Sequence, residues 1–326
     1  MQLPPDEMQI RFERDETIFF VSSSGHCNLD CSYCVVNPIV KHQPSLSYDD
    51  LRFVLDQVAG RVFFIFSGKG DFFAGYRRDE RLLARLLEEP RVGVALDVNG
   101  VVIHCFESLS PEQLSRVRHV NLTFHYRQLA NHKALQVWRR NALTMLRRAD
   151  GPDFFLNLIL SPPESHLWAE ALDWYAANIH AESGKKLILI HDVERAFGAA
   201  EQAIEADLLA RHGAMIQSVR RGQFADAFLD FDHVDCQAGV KYFRLWNDGR
   251  IDACPNVGEL QAIGDAKARR FTPRQGPFRC RTVVPSQVLR WRQEAQALAA
   301  ANMARTGGCR AIRRVRPAVL PRRALW

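Results

Sequence analysis

The sequence predicts an α/β protein built on a parallel sheet, and three observations carry that prediction. Six apolar-rich runs recur along the chain, at 18–22, 62–66, 92–98, 120–124, 154–160 and 187–190. Five segments with helical apolar spacing separate them. Polar residues then collect just past the runs: Cys27 to Cys34, Ser67 to Asp71, Asn99, His125 and His191. Strand–helix alternation of this kind is the mark of right-handed βαβ units, whose ligands bind at the carboxyl edge of the sheet. The pattern fits an open doubly wound sheet and part of a barrel equally.

Each element has a local reason. Ile18-Phe19-Phe20-Val21 lacks polar alternation, as a strand covered on both faces should. Ser47-Tyr48-Asp49-Asp50 is a capping box, Leu46 and Leu51 form its staple, and Val54, Leu55 and Val58 continue the stripe. Leu82, Leu83, Leu86 and Leu87 mark a second helix. Ser110-Pro111-Glu112-Gln113 opens a third, with Leu109 and Leu114 as staple. Helices are also predicted near Ala134–Arg148 and Pro163–Ile179. Residues 196–235 read as helical, with no strand. Beyond them, Tyr242–Trp246 and Arg250–Cys254 read as a hairpin turning on Asp248-Gly249. A last, alanine-rich helix carries Trp291 and Leu298. No internal repeat is visible.

The chain has 326 residues, 47% hydrophobic and 25% charged, which suits a large globular domain plus a smaller one. Met1 to Glu7 has neither a basic start nor an apolar core, so no signal peptide is expected, and no run is long enough for a membrane helix. A cytoplasmic location is expected, with the eight cysteines reduced. The net charge is +6. Seven arginines (Arg305, Arg310, Arg313, Arg314, Arg316, Arg322, Arg323) crowd the C-terminus, but without interleaved aromatics they read as a solvated tail, and nucleic acid is not expected as a partner.

The chemistry is concentrated in Cys27-Asn28-Leu29-Asp30-Cys31-Ser32-Tyr33-Cys34. An odd number of clustered thiols cannot pair off as disulfides, and suits a soft metal or an iron–sulfur cluster. Structural zinc needs four ligands, usually as two Cys-x2-Cys pairs. Three thiolates on a [4Fe–4S] cube leave one iron open to a small ligand.

Cys-x3-Cys-x2-Cys after the first strand, with Tyr33 before the third cysteine, resembles the radical S-adenosylmethionine superfamily. The resemblance runs to about residue 192. It implies a partial (β/α)6 TIM-like barrel over 1–195, with Cys27, Cys31 and Cys34 as ligands to a [4Fe–4S] cluster whose open iron takes S-adenosylmethionine. Tyr33 would lie near the adenine. Ser67-Gly68-Lys69-Gly70-Asp71 stands where the family has a glycine-rich motif ending in Glu-Pro, whose backbone binds the methionine amino group. Here Lys69 replaces a small residue, and Asp71-Phe72 replaces Glu-Pro. By position, Asn121 or Thr123 and Asn157 would meet the ribose, and Asn157 would equally serve as a satisfied buried amide.

Cys236, Gly249 and Cys254 are spaced in a way similar to the auxiliary-cluster subdomains of the same superfamily, called SPASM and, in the shorter form, twitch. After a helical connector at 196–235, residues 236–326 are expected to form a β-hairpin/helix subdomain of this kind. Cys280 is the expected third ligand to a second, auxiliary iron–sulfur cluster, and Cys309 a possible fourth. Zinc, or unrelated buried thiols, would also fit these four. Cys105 reads as a core residue.

His125 and His191 end the fourth and sixth strands facing the expected mouth, and are the candidates to move a proton. A structural role fits each as well, as it does Asp97 and Asp192; His26 is expected to shape the cysteine loop. The expected activity is reductive cleavage of S-adenosylmethionine followed by hydrogen abstraction from a small molecule or peptide, leading to oxidation or bond formation. An electron donor such as a flavodoxin or ferredoxin would be needed. With about seventeen residues before the first strand, a domain that grips a leader peptide is not expected, which tilts the expectation slightly toward a small molecule or a separate recognition protein, with a peptide still open. The alternative of a different class is a non-catalytic zinc protein contacting nucleic acid.

Overall fold

A computed structural model describes residues 15–22, 24, 26–34, 45–68, 70–76, 79, 81–148, 151–192, 195–220, 228–230, 235–254, 262–276, 278–279, 283–285 and 314–315. Six strands, β1 (Thr17–Val21), β2 (Val62–Phe66), β3 (Val92–Val98), β4 (Val117–Thr123), β5 (Asp153–Leu160) and β6 (Leu187–His191), lie side by side in chain order, all parallel. The anticipated capping box at Ser47 forms, and Ser110, expected as a cap, forms one as well. Ser47 Oγ accepts from the Asp50 amide at the head of helix Tyr48–Asp56, and Ser110 Oγ accepts from the Gln113 amide.

Side-chain parity decides between the two architectures the pattern allowed. Phe19, Val21, Phe64, Phe66, Val94, Leu96, Val120, Leu122, Leu156 and Leu189 pack with helix residues such as Leu51, Leu83, Leu129, Trp138 and Leu172 in one large core. The opposite parity forms a small separate cluster, Ile18, Phe20, Phe63, Ile65, Ala95 and Tyr242, which contains no helix residue. A doubly wound sheet would bury both faces under helices. Helices on one face only, with an unclosed run of parallel strands, make this a partial β/α barrel.

The sheet extends beyond the six predicted strands at both edges. Residues 196–235 were expected to be helical throughout. The helix Ala199–His212 forms, but Ile216–Arg220 is a seventh parallel strand, β7, paired with β6. With only Ile216 and Val219 apolar, this segment has too weak a strand pattern to be read alone. Ladder pairing, from Ile216 with Leu187 to Arg220 with Ile190, makes it a strand. The expected helix at 163–179 is also broken, into a 3-10 turn (Pro162–Leu167), an α-helix (Trp168–Tyr175) and a π-turn (Ala176–His180).

After β8 (Phe228–Asp230) and β9 (Asp235–Cys236) the predicted hairpin forms, as β10 (Tyr242–Leu245) and β11 (Arg250–Asp252). Gly249 takes φ +101° at its turn, which explains the glycine. β12 (Ala262–Asp265) and β13 (Arg270–Phe271) continue the meander. β10 also pairs in parallel with β1, Phe20 opposite Arg244, so this hairpin is continuous with the barrel sheet. Phe278–Arg279 pairs with β9, placing Phe278 opposite Cys236. Cys280, Cys309, Lys69, the alanine-rich helix and most of the arginine tail lie outside the described residues.

Candidate functional site

The cysteine loop lies across the carboxyl ends of the strands and is tied down at each end. At its start, Asn28 Oδ1 accepts from Asn99 Nδ2 at 2.6 Å, and the same amide nitrogen stands 3.8 Å from Cys27 Sγ. Asn99 directly follows β3. At its far end, Ser32 Oγ donates to Glu164 at 2.5 Å, and Arg195 donates to the Ser32 carbonyl at 3.0 Å. Arg195 is itself held by Asp192 at 2.5 Å, whose same oxygen accepts from Ser161 Oγ at 2.8 Å. The ends of β5 and β6 therefore hold the loop between its second and third cysteines.

Tyr33 is buried, its hydroxyl 2.8 Å from His125 Nδ1 and its ring stacked on the imidazole. The same nitrogen is 3.3 Å from Cys31 Sγ. Burial pushes the His125 pKa down to about 4, so at neutral pH it is an uncharged imidazole packed against the loop. His191 is placed differently from the expectation. It shares parity with Leu187 and Leu189, so it faces the helical layer and not the mouth. There its Nε2 is 2.8 Å from Glu205, and its ring stacks on Phe197 at 3.7 Å.

Cys27, Cys31 and Cys34 form no disulfide, and they feel one another. Burial, then the Asp71 carboxylate, with a smaller push from Cys34, raises the Cys27 thiol to about 11. Burial, then Cys27 and Cys34, raises Cys31 further. Cys27 and Cys31, whose ionisation burial and the neighbouring thiols oppose, are donors whose balance a cationic centre would reverse. Among the described residues no three His, Cys, Asp or Glu side chains are disposed to hold a single metal ion. A cubane asks for something else, because each of its irons takes its own thiolate. Three free thiols in one loop are the type of donor such a cluster takes.

Asp71 closes the glycine run and is almost wholly buried. Its Oδ1 accepts from the Ala74 amide at 2.8 Å, capping the short helix Phe72–Gly75, and its Oδ2 accepts from the Asn99 amide at 2.7 Å. Its own amide donates to the His26 carbonyl at 2.9 Å, and its carbonyl accepts from Ser24 Oγ at 3.1 Å. One residue thus joins the glycine run, the cysteine loop and the end of β3. Gly70 is obligatory here: φ is +75°, and a Cβ would lie 2.2 Å from the Ser24 carbonyl oxygen.

Below the loop, the helix-free face carries Asp97, Asn121, Thr123 and Asn157. Asp97 lies opposite Asn121 in the ladder, and Thr123 opposite Asn157. Asn121 Nδ2 donates to Asp97 at 2.5 Å, which fixes that amide's orientation. Oδ1 of Asn121 and Oδ1 of Asn157 are buried without a partner. These polar groups stand near the carboxyl ends of β3, β4 and β5 on the face that carries no helices.

Asp97 carries a testable consequence. Burial raises its carboxyl to about 6, against which the Asn121 bond acts only in part. The native state therefore binds this proton more tightly than the unfolded chain. Its contribution is present below the unfolded pKa and is lost as pH rises through the folded one. Asp97→Asn should accordingly stabilise the metal-free protein by about 1–3 kcal/mol at pH 7–8. Urea unfolding of both proteins across pH 4–8 should show the gap opening between pH 4 and 6, with little difference at the acid end.

Cys254 is buried and follows β11 by two residues, and the backbone of Cys236 lies in β9 ahead of the turn into β10. Both flank the same hairpin. Sequence reasoning missed Ser32, Glu164, Arg195 and Ser24 as supports of the loop. Ser32 and Glu164 are 132 positions apart, and no local pattern joins them.

No protein-family model matches the chain, and no curated protein matches it. Solved structures do. One is native anSMEcpe with bound AdoMet and Cp18Cys peptide, at 12% identity and TM-score 0.46, covering 77% of each chain. Another is SuiB from Streptococcus suis, at 12% identity and TM-score 0.42, over 76% of this chain and 63% of that one. A third is BtrN in complex with AdoMet and 2-DOIA, at 11% identity and TM-score 0.30, over 78% and 79%. With likenesses this loose, the functional assignment rests on the chain's own residues.

Proposed function

We propose that this chain is a radical S-adenosylmethionine enzyme acting on a small molecule or peptide. The observation that carries the proposal is the Cys27-x3-Cys31-x2-Cys34 loop, three mutually interacting thiols held over the carboxyl ends of a partial β/α barrel beside a glycine run. When bound, a [4Fe–4S] cluster supplies the electron that cleaves S-adenosylmethionine to a 5′-deoxyadenosyl radical, which takes a hydrogen atom from substrate.

The protein's part is placement. Asn99, Glu164 and Arg195 fix the loop that carries the ligands, and Asp71 fixes the glycine run against it. Tyr33 and neutral His125 cover the loop from the β4 side with aromatic surface that excludes water. Asn121, Thr123 and Asn157 present polar groups to the cofactor's ribose. Cys236 and Cys254, with Cys280 as third ligand and Cys309 as a possible fourth, would hold an auxiliary iron–sulfur cluster, which would supply an electron acceptor or a point of attachment for the substrate. The reducing electron comes from a flavodoxin- or ferredoxin-type donor, in the cytoplasm.

Iron and sulfide analysis after anaerobic purification tests the proposal, together with the yield of 5′-deoxyadenosine under reducing conditions. Both should be positive, and alanine at Cys236 and Cys254 should lower iron content while leaving cleavage in place. Zinc without labile sulfide would overturn the proposal and favour the non-catalytic alternative.

A further inference from the structure

The cysteine loop ends in a turn that is gripped from several strand ends at once. The Cys34 amide donates to the Cys31 carbonyl at 3.1 Å, so Ser32 and Tyr33 are the two residues inside that turn. Tyr33 is taken up by His125. Ser32 is exposed, yet it is held through both its side chain and its backbone. Glu164, in the 3-10 turn after β5, takes the hydroxyl, and Arg195, after β6, takes the carbonyl. Arg127 braces Glu164 at 3.3 Å.

Arg195 is a bridge with two ends. Nη1 donates to Asp192 while Nη2 donates to Ser32, and a rigid planar fork fixes the distance between what it joins. The Asp192 side chain is only 1% exposed, so this anchor is not given up without stranding a buried charge. Two residues beyond Arg195, Phe197 is pinned as well. Its ring lies flat on His191, with centroids 3.7 Å apart and 2° between the planes, and stacks on Trp168 at 5.4 Å. His191 in turn meets buried Glu205, on the helix Ala199–His212, at 2.8 Å. The proposed chemistry uses neither His191 nor Glu205. Their place in the fold is at the base of the segment that carries Arg195.

We propose that the connection between β6 and the helix Ala199–His212 is a latch on the cysteine loop, with Arg195 as its tip, Ser32 as its catch, and His191, Phe197 and Glu205 as its root. The latch holds the Cys31–Cys34 turn, and its members are positioning residues. Cys27 is held separately, through Asn28 and Asn99. The inference rests on the proposed function only for what the loop carries, because the latch is a property of the metal-free chain.

The test is alkylation of the metal-free full chain by iodoacetamide, followed cysteine by cysteine by mass spectrometry. Wild type, Arg195→Gln, Arg195→Lys, Ser32→Ala and Phe197→Ala are compared, with melting temperature as a check on integrity. The rate at a protected thiol follows the population of the locally open loop. A hydrogen bond to a charged group is worth about tenfold in such a population. Half-buried Cys31 should therefore react about tenfold faster in Arg195→Gln and in Ser32→Ala, while Cys27, held by other contacts, changes by less than about twofold. Phe197→Ala should move Cys31 in the same direction. Arg195→Lys keeps the charge without the fork and should recover part of the protection. Ser32→Ala alters an exposed side chain, and carries the test if Arg195→Gln does not fold. Cys31 reactivity unchanged in both variants would overturn the inference, and so would equal acceleration of Cys27 and Cys31, which marks general loosening. A Cys31 rate that responds in a chain unable to assemble an iron–sulfur cluster leaves the latch standing and removes the proposed function.

Discussion

Serine at Cys31 is expected to abolish the formation of 5′-deoxyadenosine completely, with loss of the iron held by the loop. Cys31 is the central thiol of the three. It is the one whose ionisation both others oppose, and it touches His125 as well. A hydroxyl at that position is a harder, less acidic donor, and iron–sulfur clusters are held by thiolates. Serine at Cys27 or Cys34 should do the same. Cys105 provides the internal control. It is buried in the core among Phe106 and its neighbours, in the short helix His104–Glu107. Cys105→Ala should cost about 1 kcal/mol of stability and leave cleavage intact. Iron stoichiometry and product yield, measured on anaerobically reconstituted proteins, read both effects. Full cleavage by Cys31→Ser would remove the loop from the chemistry.

The second large effect is expected at Asp71. Alanine there strands two buried amide donors, at Ala74 and Asn99, each worth about 1–3 kcal/mol when left unmet. A loss of about 2–5 kcal/mol should follow in urea unfolding of the metal-free protein. Because Asn99 also grips Asn28, the same change should loosen the cysteine loop, and alkylation of Cys27 should quicken. Asparagine keeps one acceptor oxygen and should recover part of the loss. Asp71→Ala that unfolds like wild type would show that the hub does not hold the glycine run to β3. Burial also raises the Asp71 carboxyl to about 6, which is the cost of placing this acceptor where three segments meet.

Much of this was legible in the residues because the signals are local. Capping boxes at Ser47 and Ser110 need only four consecutive positions to declare themselves. The hairpin at Asp248-Gly249 is announced by a glycine that the turn's positive φ requires. β7 was not legible, since Ile216 and Val219 alone do not make a strand pattern and only the exposed edge of β6 made them one. His191 was misplaced because strand parity, not sequence position, decides which face a terminal residue joins. It follows Leu187 and Leu189 toward the helices, where Glu205 and Phe197 take it up.

The supports of the candidate site were invisible for a different reason. Ser32 meets Glu164, Arg195 meets Ser32, and Arg244 meets Ser22 over separations of 132, 163 and 222 residues. Hydrogen bonds of that span leave no periodicity behind. The sequence by itself determined the alternation of strands and helices, the cysteine spacing, and the polar residues at the carboxyl edge, because each is written in neighbouring positions. The tertiary structure alone decided that helices cover one face, that β10 joins β1, and that an arginine beyond β6 grips the cysteine loop. Those outcomes depend on which surfaces meet across the sheet, and chain neighbours do not carry that information.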